Sequence, residues 1–349
     1  MKVVRVGTRL VGAGQPCVTV AEVGINHNGE MNLAHSAIDA AVDAGADAVK
    51  FQNYRTEDFL SDRTLTHEYV SQGQTVVESQ YEIFKRCELV PGQLRELREH
   101  CGKRGVLFFS TPTSESGIQE LIDVGVQWLK NGSDYLVHLP MIRAMARSGL
   151  PTVISTGMAE ASDVQDAVKA FRDAGGNDLI LLHCTSSYPT PPQDVHLRKI
   201  CTLSREFDCP VGLSDHTDGT LAAIGSVVLG ACMIEKHFTL DKNLAGPDHR
   251  FSADPAEFRL LVDSVRTMEK SLGSPELGPA ASEALGRRDY RLSCVSVRPL
   301  AAGHCLTAAD IAFRRPGSGF PPKELDRLIA RELLKDVPAG HVFSVEDFS

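Results

Sequence analysis

The stretch "ACMIEKHFTLDK", residues 231–242, sets the first constraint on the fold. An apolar run that reads as a buried strand ends in Glu235, Lys236 and His237. Ionisable groups are costly to bury, so three in a row mark either a strand that surfaces or the rim of a site. Seven further runs resemble this one: "CVTVAEV" (17–23), "AVKFQ" (48–52), "VLFFST" (106–111), "QWLKN" (127–131), "PTVIST" (151–156), "DLILLHCT" (178–185) and "CPVGLSD" (209–215), with the eighth at "CMIEKHFT" (232–239). Between them lie segments such as "NLAHSAIDAAVDAGA" (32–46) and "ASDVQDAVKAFRDAG" (161–175), with helical apolar spacing and Gly near the end. Eight strands alternating with helices over about 250 residues predict an α/β fold, a (β/α)8 barrel. A doubly wound sheet also alternates, but the first strand is not followed by the Gly-rich turn of a dinucleotide site.

Two regions break the rhythm. Residues 54–90, with the polar run "LSDRTLTHEYVSQGQTVVESQYEIFKR", read as a long loop or lid beside the active face. After the barrel, residues 1–272, the run "SLGSPELGPAASEALGRR" (271–288) is rich in Gly, Pro and Ser. It is expected to be a linker over 273–288. Residues 289–349 show short strands, turns and one brief helix, a small β-rich module with a modest core of its own.

The 349 residues are 42% hydrophobic and 23% charged, with a formal net charge of −9. That balance argues against nucleic acid or an anionic membrane as partner. Nine cysteines are scattered without Cys-x-x-Cys pairs, and Cys184, Cys209 and Cys232 read as buried thiols. Residues 1–20 lack a signal-peptide pattern and no apolar run reaches membrane-spanning length, so the expectation is a cytoplasmic protein.

Barrel chemistry gathers at the C-terminal ends of the strands. Those ends carry Glu22; Lys50 and Gln52; Ser110 and Thr111; Lys130, Ser133 and Asp134; Ser155 and Thr156; Thr185, Ser186, Ser187 and Tyr188; Ser214, Asp215 and His216; and Glu235, Lys236 and His237. One wet strand end is ordinary, whereas eight together point to a site. Lys50 and Lys130, with Ser133, Ser155 and Ser214, have the chemistry of a phosphate cradle. His216 and His237, on neighbouring strands, are candidates to share one divalent metal. Structural alternatives stand beside these readings. Lys50 can pair with Glu22 across the mouth, Asp215 can orient His216 or a loop backbone, and Tyr188 can pack on its prolines. His183 reads as a core histidine and His27 as a residue of the Asn-Gly turn.

The motifs "AEVGINHNG" (21–29), "AVKFQ" (48–52), "ESQYEIFK" (78–85), "ISTGM" (154–158), "LLHCTSSYPTP" (181–191), "GLSDHT" (212–217), "EKHFT" (235–239) and "GPDHRFSADPAEF" (246–258) resemble, in order, those of the sialic acid synthase (NeuB-like) family. That family includes pseudaminic and legionaminic acid synthases and the spore-coat protein SpsE. The tail "SCVSVRPLAAGHCLTAADIAFRRPGSG" (293–319) with "ARELLKDVPAGHVFSVEDF" (330–348) is similar to its SAF, or antifreeze-like, domain. The resemblance implies condensation of phosphoenolpyruvate with the open-chain aldehyde of an N-acylated amino sugar, giving a nonulosonic acid and phosphate. It implies a divalent metal, typically manganese with magnesium or cobalt as alternatives, on His216 and His237. The matching phosphoenolpyruvate contacts are Lys50, Lys130, Ser133, Ser155, Ser186 and Ser214, with Ser186 a shorter donor than the family's Asn. The matching sugar contacts are Glu22, Gln52, Tyr188 and Asp248, and Glu235, at the rim of the eighth strand, is expected to orient ligands or substrate. The resemblance further implies a swapped homodimer in which Arg315, in the "RPG" turn, reaches the partner's sugar. Lys236 should point away by strand alternation.

One segment departs from the family pattern. In "LKNGSDYLVHLP" (129–140) Tyr135 stands five residues after the Lys, where the family has an acid, and Asp134 stands one earlier. A phenol of ordinary pKa about 10 is a poor base near neutrality. Either Asp134 replaces the acid, or Tyr135 or a metal-bound water handles the proton, or the chain binds without turnover. Another metal-dependent barrel lyase or aldolase is the remaining reading.

Overall fold

The computed structural model describes residues 2–348 and divides the chain into two compact units, 1–273 and 274–349. In the first unit eight parallel strands run β1 (Val18–Gly24), β2 (Ala48–Asn53), β3 (Leu107–Pro112), β4 (Leu129–Asn131), β5 (Thr152–Ser155), β6 (Leu179–Cys184), β7 (Val211–Asp215) and β8 (Met233–His237). They lie in the order β3-β2-β1-β8-β7-β6-β5-β4, with β8 parallel to β1, so the sheet curls into a near-closed barrel. Only β3 and β4 meet without a hydrogen-bonded ladder. Each strand overlaps the run that its sequence predicted, with β1, β2 and β3 extending one residue beyond it.

Helices cover the outside: α1 (Met31–Asp43), α2 (Pro91–Arg104), α3 (Glu115–Val124), α4 (Leu139–Arg147), α5 (Ala161–Asp173), α6 (Lys199–Phe207), α7 (Leu221–Val228) and α8 (Pro255–Leu272). Local chemistry sets their ends. Asp254 accepts from the Glu257 N–H at 2.9 Å while Glu257 reaches back to the Asp254 N–H at 3.3 Å, and Pro255 opens α8. This reciprocal cap satisfies N–H groups that the first turn leaves without partners. Gly105 and Gly125, both left-handed, terminate α2 and α3.

Strand alternation stratifies the barrel interior. Val18, Val20, Phe109, Trp128, Val153 and Ile180 share one buried cluster with Val4, Val6 and Val11. The last three come from the antiparallel hairpin Val3–Val6/Arg9–Gly12, which closes the bottom. Two residues on along each strand, the same inward face carries Glu22, Thr111, Lys130 and Ser155. Period two therefore turns an apolar floor into a polar mouth without changing strands.

The segment 54–90 is more ordered than its polarity suggested. It holds a short helix Thr56–Phe59, an antiparallel hairpin Thr66–Ser71/Gln74–Ser79 and a helix Gln80–Arg86. The hairpin strands mix charge with apolar residues on an exposed ribbon, which hides their alternation. The expected linker is also partly helical, with turns at Ala281–Glu283 and Ala284–Asp289. The second unit pairs Ser293–Ser296 with Ile311–Arg314 antiparallel over a core including Cys294, Leu306, Leu328 and Phe343. Beyond residue 289 its helical turns are all of the tight 3-10 kind among the described residues.

At the bottom of the barrel, Asp47 binds Arg9 at 2.7 Å and Arg266 at 2.6 Å and accepts from the Thr19 N–H at 2.9 Å. It joins the hairpin, β1 and α8 through one carboxylate. Asp47→Ala is expected to cost about 3 kcal/mol of stability, because Thr19 and Arg266 lose their partner in a mostly buried position. Urea unfolding followed by circular dichroism reads this, and a change below about 0.5 kcal/mol would contradict it.

Candidate active site

A cavity of about 820 Å³ opens at the C-terminal end of the strands. It is lined by Glu22, Lys50, Gln52, Lys130, Ser133, Asp134, Tyr135, Ser155, Ser186, Tyr188, Ser214, His216, Glu235, His237 and Asp248. Every site residue predicted in the barrel therefore faces one space. Arg315 belongs to the second unit, where it is exposed and its guanidinium lies 5.2 Å over the Tyr290 ring.

The floor of the cavity is a buried charge network. Lys50 forms an ion pair with Glu22, lies 3.9 Å from Glu235 and donates to the Thr111 hydroxyl at 3.0 Å. Lys130 donates to Ser155 Oγ at 2.8 Å and lies 3.6 Å from Glu235. Ser214 donates to Glu235 at 3.1 Å. Burial alone would discharge Lys50, but Glu22 and Glu235 outweigh it and hold its pKa above the ordinary value. Burial dominates at Lys130, whose pKa is lowered. Glu235 resists its own burial because Lys130 and Lys50 hold it low, whereas burial pushes Glu22 up to about 7. The two carboxyls thus divide into an ionised group and one able to carry a proton near neutrality.

Backbone geometry aims these groups. The β1–β2 register shifts between Glu22 and Gly24, and Gly24 has φ +52°. A side chain there would be strained, and its Cβ would come within 3.0 Å of Glu22 Oε1. At Gly157 a Cβ would fall 2.3 Å from Ser186 Oγ and 2.6 Å from Ser133 Oγ. The glycine leaves those two hydroxyls a shared space, beside Ser155 on the preceding strand. Gly157 and Cys184 were not among the predicted site residues, and Thr111 was named only as a polar strand end; for Gly157 the "STGM" turn was the available signal.

The imidazoles sit above the floor with ring centroids 5.4 Å apart. His216 Nδ1 donates to the Thr185 carbonyl at 2.9 Å, which leaves Nε2 as its free donor atom. His237 Nδ1 is buried without a hydrogen-bond partner, 3.8 Å from Asp248 Oδ2. Burial, with His216 and the nearby lysines, holds His237 well below its ordinary pKa, so its ring is neutral. Asp248 is pushed up by burial to about 6. The neutral His237 ring and the unpaired Nε2 of His216, with Glu235 Oε2 also unpartnered, fit a divalent ion. No group of three or more His, Cys, Asp or Glu converges on a single ion among the described residues, so the protein's own share of such a site is small. Tyr188 packs 4.2 Å from the His216 ring and 5.3 Å from Phe251, which screens the pair.

Several structural alternatives are resolved. Lys236 points out of the barrel and donates to Asp215 and to the Thr217 carbonyl, each at 2.8 Å, while Asp215 accepts from the Thr217 N–H at 3.0 Å. This pair pins the strand-seven loop. His183 contacts the Val195 carbonyl at 2.5 Å, and His27 Nδ1 accepts from the Gly29 N–H at 3.1 Å within its turn. Residues 133–135 form a single tight turn. Tyr135 lines the cavity while packing against the core between strands and helices and stacking 5.9 Å from His138, and Asp134 folds over Gly132 with its pKa raised by burial. No helix among the described residues is long and apolar enough to cross a membrane.

A parallel barrel with its ionisable groups gathered at the C-terminal mouth is the architecture of barrel enzymes. The chain belongs to the NeuB family: that family's profile matches residues 37–276, and a SAF domain profile matches 293–349. N,N′-diacetyllegionaminic acid synthase of Legionella pneumophila is 39% identical over 338 residues, covering 96% of this chain and 95% of that protein. An uncharacterised protein of Methanocaldococcus jannaschii is 43% identical over 99% of both chains. The crystal structure of N-acetylneuraminic acid synthetase from Leptospira borgpetersenii, in complex with citrate, superposes with a TM-score of 0.73 at 35% identity. It covers 82% of this chain and 95% of that one.

The Glu22 shift has a pH signature. Its folded pKa of about 7 lies above the ordinary 4.5, so between those values the unfolded chain releases a proton that the folded one keeps. Stability should fall as pH rises through that window and level off above it. Relative to Glu22→Gln, the unliganded wild type is expected to lose up to about 3 kcal/mol across the window. Chemical denaturation at stepped pH measures this, and parallel profiles for the two proteins would contradict it.

Proposed function

We propose that this chain is a nonulosonate synthase that condenses phosphoenolpyruvate with the open-chain aldehyde of an N-acylated hexosamine and releases phosphate. The observation that carries the reading is the cavity floor, where Lys50 and Lys130 meet the Ser133, Ser155, Ser186 and Ser214 hydroxyls below the His216 and His237 imidazoles. Two ammonium groups and a ring of hydroxyl donors suit a substrate with both phosphate and carboxylate. Glu22, with Gln52 at 3.4 Å, sits where it can pass a proton to the sugar oxygen that gains charge as the new C–C bond forms. Phosphoenolpyruvate C3 supplies the electron pair, water adds at C2, and the C–O bond to phosphate breaks. A divalent ion, manganese by preference, would be held by His216 and His237 and would supply Lewis acidity toward the aldehyde.

The family match supports the synthase class, and the similarity to a legionaminic acid synthase and a sialic acid synthetase supports legionaminate or sialate chemistry. A cytoplasmic homodimer belongs to the same proposal, with Arg315 of one copy serving the sugar bound by the other. Arg315 is suited to that task because it is exposed and carries a planar donor fork.

The primary test is phosphate release from phosphoenolpyruvate by the purified protein with manganese, across a panel of N-acylated hexoses. Sugar-dependent release that His237→Ala abolishes is expected. Intact manganese and phosphoenolpyruvate binding with no release on any sugar would favour the silent paralogue, for which Tyr135 is the specific motive.

Asp134 is the group placed to manage the proton on water or the tetrahedral intermediate, since Tyr135 spends its ring on packing. Asp134→Asn should therefore lower kcat by about a hundred- to ten-thousand-fold, and Tyr135→Phe by less than about ten-fold. The reverse ranking in steady-state kinetics would assign the task to the phenol.

A further inference from the structure

The barrel has one open seam, between β3 and β4, which lie side by side without a hydrogen-bonded ladder. The seam reaches the level of the cavity floor, where a Cβ on Gly132 would come within 3.7 Å of Thr111 Cγ2. Parallel strands keep step, so one residue back Ser110 stands beside Asn131. Both are fully buried. Phe109 and Trp128 belong to the barrel interior, and Thr111 and Lys130 line the cavity. Alternation therefore turns Ser110 and Asn131 outward, beneath the helices. Leu129, on the face that Asn131 shares, belongs to one core cluster with Ile118, Met141 and Met145. Two polar side chains are thus held in an apolar layer.

Their polar atoms have no protein partner. Ser110 Oγ and both amide atoms of Asn131 are buried and unbonded. On β2, Asn53 faces Pro112 and so stands diagonally across from Ser110, and its Oδ1 is unbonded as well. Peptide groups add to the demand. The Leu107 N–H bonds the Asp47 carbonyl on the β2 side, and the Leu129 N–H bonds the Pro151 carbonyl on the β5 side. Successive peptides alternate sides along a strand, so those of Ser110 and Lys130 face the seam. A buried polar group left bare costs about 1–3 kcal/mol. The Asn131 amide offers donors and an acceptor, and the Ser110 hydroxyl offers both. A mixture of that kind is what an enclosed water satisfies, and none of these groups carries the charge that would hold an ion.

The seam meets the cavity floor through one residue. Asn131 sends its side chain to the seam, while its carbonyl accepts from Lys130 Nζ at 3.1 Å. The same ammonium donates to Ser155 Oγ at 2.8 Å. The orientation of the Asn131 peptide thus ties the seam to the placing of Lys130. We propose that the β3–β4 seam holds an ordered water bridging Ser110 and Asn131, and that through it Asn131 is a positioning residue for Lys130. The positioning role rests on the synthase reading, whereas the water does not.

A crystal structure of the unliganded protein at atomic resolution tests the water. It is expected within hydrogen-bond distance of Ser110 Oγ and the Asn131 amide. A direct bond between the two side chains, or a dry seam, would overturn the site. Asn131→Thr and Asn131→Val test the positioning, because they share a shape and differ by one hydroxyl. In calorimetric titration with phosphoenolpyruvate, Asn131→Val is expected to bind about ten-fold more weakly than the wild type, and Asn131→Thr within about three-fold of it. Thermal unfolding separates this from a general loosening: Asn131→Val should unfold at or above the wild-type temperature, since an apolar side chain suits that layer. Loss of affinity together with a lower unfolding temperature would make Asn131 a structural residue only. Equal affinity in the Thr and Val variants would end the link to Lys130. No binding of phosphoenolpyruvate by the wild type would sink the synthase reading and the positioning role with it, while a crystallographic water would still stand.

Discussion

Four ionisable side chains buried at one level of the barrel constrain everything above them. Lys50 and Lys130 are affordable there only because Glu22 and Glu235 accompany them, and the carboxylates depend on the lysines in turn. A hydrophobic filling of the same volume would be at least as stable, so stability alone does not explain the network. Its consequence is a preorganised pair of ammonium groups whose counter-charges are already in place, one of them with a proton to move. Serine hydroxyls and Gly157 complete the space around them, and the imidazoles stand over it.

Most of this arrangement was legible in the sequence because barrels obey two simple periodicities. Apolar runs located all eight strands, strand ends placed Lys50, Lys130, Glu235 and His237 at the mouth, and alternation turned Lys236 outward. The salt bridge from Lys236 to Asp215 follows from the same rule, since both side chains leave the barrel on the helix side. What stayed hidden depends on contacts between distant segments. The hairpin 66–79 read as loop because glutamates and glutamines mask its alternation, and an aromatic triangle joins Tyr54, Phe59 and Phe84 across turns that no local pattern announces. Gly157 matters for an absent atom, which composition does not reveal.

The turn at residues 133–135 shows how a family position can change without disturbing its surroundings. Placing an aromatic residue where an acid is expected lets the ring pack beside His138 at the cavity wall, while the neighbouring Asp134 turns over Gly132 into the cavity. The cost is positional, because Asp134 reaches the space from a different backbone atom. The floor is unaffected, so under the proposed function substrate binding and proton management rest on separate groups.

That separation points to the measurement closest to the central claim, which is that the paired lysines are a binding site for phosphoenolpyruvate. Calorimetric titration of phosphoenolpyruvate into the wild type and into Lys130→Met reads it without any sugar. The account predicts measurable binding by the wild type and at least a ten- to hundred-fold loss in the variant, with the variant's unfolding midpoint unchanged or raised because one buried charge is gone. Equal affinity in the two proteins would mean that the lysines serve the fold alone and that the substrate is held elsewhere.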